Sequence, residues 1–158
     1  MEAKEELINA LDTEDDLGKV IRSQIVIEYI LIQIIESKLS DASYLNKMDL
    51  TFEQTTNLAL ALGLDNAWAK PLGCLGTIRN GFAHKIRGEI NKSDANNFYK
   101  SFSSGDKAAM KKLYDEREED LIKIGYPKYK DLEPVHKFTL CVTILTGALQ
   151  AWLNSRAS

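Results

Sequence analysis

At 158 residues the chain has the length of one ordinary domain, enough to bury roughly two-thirds of the surface its unfolded form exposes. Its 44% apolar and 27% charged residues exclude an intrinsically disordered or a membrane-embedded class. The net charge of -3 argues against strong non-specific nucleic-acid binding by the whole surface.

Cys74 and Cys141 lie far apart, without Cys or His neighbours at metal-ligand spacing, which excludes a disulfide framework and a zinc site and points to a reducing compartment. Met1-Glu2-Ala3-Lys4-Glu5-Glu6 lacks the basic and apolar regions of a secretory signal, so the expected location is cytosolic. The most apolar stretch, Val20 to Leu39, is interrupted by Arg22, Ser23, Gln24, Glu28, Gln33 and Glu36, too many costly groups for a bilayer span; no membrane partner is expected. Charge is uneven along the chain. Residues 2–16 carry seven acids against Lys4, whereas residues 70–92 carry Lys70, Arg79, Lys85, Arg87 and Lys92 against Glu89. A polyanion would meet the second segment, although on charge alone both segments read first as solvated faces.

Apolar residues recur at helical spacing through most of the chain, and no convincing strand pair is present. A first helix is expected near Ala3–Leu11. The acidic cluster Asp12-Thr13-Glu14-Asp15-Asp16 suits the start of a second, running to about Leu39, apolar almost all round and therefore central. Asp41–Asp49 reads as a connection. Thr51-Phe52-Glu53-Gln54 is a capping-box pattern that starts a third helix through Leu62, stopped at Gly63. A fourth helix runs from Ala67 or Pro71 to Arg87, with Gly88 placed to terminate it. Ser93 or Asp94 caps a fifth through Phe102, and Asp106 a sixth from Lys107 to Ile124 with Gly125 at its end. Tyr126–Glu133 is a linker, and Pro134 opens a closing helix that reaches Trp152. The expectation is an all-α fold, a compact bundle of about five to seven helices forming a single domain over residues 1–158, with a charged elaboration at about 100–133.

The fourth helix carries the chemistry. At about 100° per residue, Leu72, Leu75, Ile78, Phe82 and Ile86 form an apolar stripe. Asn80, His84 and Arg87 share another side, and Gly73 and Gly76 project toward it, leaving backbone open to a ligand, a second helix or an intramolecular neighbour. Arg79 falls at the edge of the apolar stripe, roughly 140° from His84, so the two side chains meet only if the helix bends near Gly81 or the site is wide.

Ile78-Arg79-Asn80-Gly81-Phe82-Ala83-His84 resembles the Arg-x4-6-His signature of HEPN domains, in the form Arg-Asn-x-x-Ala-His. Leu50-Thr51-Phe52 followed by Leu58-Ala59-Leu60-Ala61-Leu62-Gly63-Leu64 is similar to the helix that precedes this motif in the mannitol-repressor-like branch, and the likeness covers about residues 15–90. The resemblance implies a HEPN-type homodimer in which two copies of Arg79 and His84 line a shared cleft and cleave RNA without a metal or other cofactor. His84 would act as acid and base, Arg79 would stabilise charge on the phosphate, and Asn80 would hold the phosphate or orient His84. Arg87, Lys85 and Lys70 are candidate phosphate or RNA contacts. An antitoxin or regulatory protein is a possible partner, as in a toxin or defence component. The alternative is a non-catalytic helical dimer, a transcriptional or signalling regulator similar to the mannitol-repressor-like group.

Only one other histidine is present, His136, in a separate helix without a motif, so paired acid and base roles call for His84 from two chains. Asp15, Asp16 and Glu28 lack a nearby ligand histidine, and a metal site there is rejected. Lys107–Asp120 reads as a solvated amphipathic helix that could cover the cleft or bind a protein antidote. Tyr126-Pro127-Lys128-Tyr129-Lys130 reads first as a linker with packed tyrosines, although its composition could also stack on bases and contact phosphate.

Overall fold

The computed structural model describes residues 2–13, 15–83 and 88–156. Among them the structure is all-α, with no strand. Helix α1 spans Glu2–Thr13, α2 Asp16–Glu36, α3 Phe52–Ala61, α4 Ala69–Ala83, α5 Lys92–Lys100, α6 Ser104–Glu116, α7 Glu118–Lys123 and α8 Pro134–Arg156. Short 3-10 turns lie at Ala42–Lys47, Asn66–Trp68 and Tyr129–Asp131.

Helix α2 is central because its apolar positions point several ways at once. Val20, Val26, Ile27, Ile30, Leu31, Ile34 and Ile35 are buried, and the helix packs on α1, α3, α4 and α8. Helix α8 closes the bundle against α2, α5 and α6, burying Phe138, Cys141, Val142, Leu145 and Leu149. Each such side chain contributes about 1.5–3 kcal/mol by leaving water. By length and composition α8 could also cross a membrane; here much of its apolar face is spent on its neighbours in the bundle.

Local signals place several helix ends where the sequence puts them. Asp15 caps α2 by accepting from the Gly18 N–H at 2.8 Å. Thr51 and Gln54 form the reciprocal capping box of α3, at 3.1 and 3.0 Å. Gly63 and Gly125 take the left-handed φ that lets the chain turn out of a helix, and Pro134 is the first residue of α8.

Other ends differ. Helix α2 stops at Glu36 rather than Leu39, where the Ser37 hydroxyl turns back to the Ile34 carbonyl. Asn91, not Ser93 or Asp94, caps α5, and Ser103, not Asp106, caps α6 by accepting from the Asp106 N–H at 3.1 Å. The helix expected over Lys107–Ile124 is two, α6 and α7, divided at Arg117, so the described residues contain one α-helix more than the expected upper number. The break is anchored by Tyr114, buried at the end of α6 with its hydroxyl donating to the Pro127 carbonyl at 2.6 Å. Glu118, Glu119 and Asp120 then favour a fresh helix N-terminus immediately after it.

Candidate functional site

Helix α4 is held by its apolar stripe. Leu72, Leu75, Ile78 and Phe82 are buried, which fixes the helix rotation and leaves Ala69, Gly73, Gly76, Thr77 and Asn80 along another face. That face forms one wall of an open groove of about 710 Å3. Helix α3 and its cap supply Thr51, Phe52, Glu53, Thr56 and Asn57, and α2 supplies Gln24.

Arg79 and Asn80 are both exposed, and both line this groove. Helical spacing alone places Arg79 at the edge of the core. The structure instead gives it to the groove, because Gly76, one turn earlier, has no side chain to separate it from the opening. The site is wide enough to span the roughly 100° between consecutive helical positions. Of the two glycines, Gly76 faces the Phe52 ring, which would stand 3.5 Å from an added Cβ, whereas Gly73 faces open space. An intramolecular neighbour therefore uses one of them and leaves the other bare.

The electrostatics centre on Glu28. Burial pushes its carboxyl above the ordinary range, while a hydrogen bond from Gln24 and the nearby Arg79 charge oppose that rise. Gln24 and Glu28 are one turn apart and make a polar row on α2, beside an exposed apolar row of Ile25 and Tyr29. The Gln24 Oε1 and Thr56 Oγ1 atoms are buried and lack a hydrogen-bond partner, though both residues line the groove. Such atoms cost about 1–3 kcal/mol each when left unpaired, and a polar ligand could relieve that cost.

His84, Lys85 and Arg87 lie outside the described residues. Lys70 is exposed, next to the groove residue Ala69 but not part of the lining. His136 sits at the start of α8, where its Nδ1 accepts from the Glu133 N–H at 3.3 Å and its ring packs on Tyr126. Asp15 is occupied as a helix cap, and Asp16 accepts from the Ile90 N–H at 2.9 Å. No group of three or more metal-ligating side chains occurs among the described residues.

Gln24, Thr56 and Asn57 share the groove with Arg79, and Glu28 lies near it, without any motif in the sequence that joins them. The available signal was the Gln24–Glu28 spacing within the apolar run of α2. No family model matches the chain, and no curated protein or solved structure matches it.

Proposed function

We propose that this chain is a HEPN-type endoribonuclease that acts as a homodimer and cleaves RNA without a metal. The observation that carries the reading is the placement of Arg79 and Asn80 side by side on an open groove with bare backbone at Gly73, within the Arg-Asn-x-x-Ala-His motif. A ribose 2′-oxygen attacks the adjacent phosphorus, its proton passes to a base, and the departing 5′-oxygen takes a proton from an acid. Arg79 presents a planar donor fork to the phosphate oxygens, and Asn80 offers an amide donor beside it. His84 serves as base in one chain and acid in the other. The Arg79 charge acts on the Glu28 carboxyl of α2, opposing the rise that burial causes.

The exposed Ile25 and Tyr29 next to the groove also support a second reading, a non-catalytic helical regulator whose α2 and α4 surface docks another chain. The two separate on RNA cleavage by purified protein in EDTA. The enzyme reading expects cleavage that Arg79→Ala reduces by about 100-fold or more with folding intact. Intact RNA across varied sequences would leave the regulator.

A further inference from the structure

A second cluster of charge and aromatic rings, half-buried at Tyr99, Lys107, Tyr129 and Lys137, is built by α5, α6, α8 and the turn before α8. Tyr99 of α5 and Tyr129 of the turn before α8 bring their hydroxyl oxygens to 3.4 Å. Lys107 and Lys137 place their ammonium nitrogens 5.6 and 5.4 Å from the centroid of the Tyr99 ring, and Lys111 lies 5.3 Å from that of Tyr129. Three cations from α6 and α8 thus gather around one linked pair of rings.

Their neutralisation is incomplete. Lys111 pairs with Asp115, but Lys137 is held by a neutral partner, the Asn96 Oδ1 at 2.8 Å. The ion pairs among the described residues include neither Lys107 nor Lys137. A ring face positions an ammonium without cancelling its charge. Below them Cys141 adds no negative charge, since burial pushes its thiol up to about 12. In the tyrosine pair one hydroxyl donates to the other, and the second keeps a proton to donate elsewhere.

We infer that Tyr99, Tyr129, Lys107 and Lys137 form a binding surface for the phosphodiester backbone of single-stranded RNA, separate from the groove beside Arg79. The ammonium groups meet successive phosphates and the free phenol hydroxyl donates to a phosphate oxygen. No residue of the cluster lines the groove. The choice of RNA as the occupant rests on the proposed function, whereas binding at this surface does not require the groove to cleave.

The test is fluorescence anisotropy of a short fluorescein-labelled 2′-O-methyl oligoribonucleotide, which cannot undergo 2′-hydroxyl attack, titrated with the full chain at several salt concentrations. Lys107→Gln/Lys137→Gln should weaken binding about 10-fold or more and flatten the salt slope by roughly 1.4, the value for two phosphate contacts on a single strand. Lys107→Arg/Lys137→Arg and the charge-matched control Lys47→Gln/Lys123→Gln, at two exposed lysines outside both sites, should retain wild-type affinity, with helicity checked by circular dichroism. Three results would overturn the inference: no binding by the wild type, equal binding by the Lys107→Gln/Lys137→Gln variant, or equal loss with Lys47→Gln/Lys123→Gln. Displacement of the oligonucleotide by inorganic phosphate at comparable concentrations would overturn it too, identifying a single-anion site.

Discussion

The Glu28 carboxylate on α2 lies within electrostatic reach of the Arg79 guanidinium on α4, and burial raises the Glu28 pKa against the opposing effects of a Gln24 hydrogen bond and the Arg79 charge. Two helices far apart in sequence are thereby coupled at the groove. Removing the cation leaves desolvation less opposed, so Arg79→Ala should raise the Glu28 pKa further. Carbon-detected NMR titration of the Glu28 carboxyl reads this directly. An unchanged midpoint would show that the two groups do not sense one another.

Backbone packing gives a contrast between two glycines. A Cβ at Gly88 would stand 3.1 Å from the Leu17 Cβ at the start of α2, a contact that neither backbone-anchored group can easily relieve. Gly88→Ala should cost about 1 kcal/mol or more. Gly147, within α8, has nothing within 4 Å of the same added atom, and Gly147→Ala should gain up to about 1 kcal/mol from helix propensity. Urea denaturation of both variants measures the difference; equal midpoints would refute it.

His136 makes stability depend on pH. Burial lowers its pKa, with Glu133 opposing, Lys19 reinforcing and Asp16 opposing. The folded chain therefore takes up a proton less readily than the unfolded chain. This contribution is present above about pH 6.5, the ordinary histidine value, and is lost as pH falls through the lower folded value. Protonation also removes the lone pair with which Nδ1 accepts from the Glu133 N–H. Thermal melts from pH 7.5 to 5 should show a smaller fall in Tm for His136→Gln than for wild type. Parallel curves would assign the acid sensitivity to other groups.

A catalytic site shared between two chains predicts a characteristic mixing curve. With His84→Ala protein added in excess under subunit exchange, activity per wild-type chain should fall as heterodimers form. Activity that stays constant at every ratio would place both proton-transfer roles within one chain.

Much of the fold was legible because its signals are local. Asp15, the Thr51–Gln54 pair and Pro134 each act within a turn of their own helix. Asn91 and Ser103 were harder to read, since several polar residues stood ready at each start and the path of the incoming chain chose among them. The break at Arg117 has no glycine or proline to announce it, and it depends on Tyr114 reaching Pro127 across the fold. At the site, Asn80, Gly73 and Gly76 could be placed on one face by helical period alone. The wall opposite them could not, because Gln24, Phe52 and Thr56 come from helices whose approach to α4 is set by tertiary packing. Arg79 shows the limit of a wheel, which reports the angle of a side chain but not whether a neighbour covers it.

The chemistry of the RNA ends tests the central claim most directly. After incubation of a defined single-stranded RNA with purified protein in EDTA, mass spectrometry of the fragments should find a 2′,3′-cyclic phosphate on one side of the cut and a 5′-hydroxyl on the other. Both ends should be lost with Arg79→Ala. Fragments carrying 5′-phosphate and 3′-hydroxyl ends, or RNA left intact, would contradict 2′-hydroxyl attack at this groove.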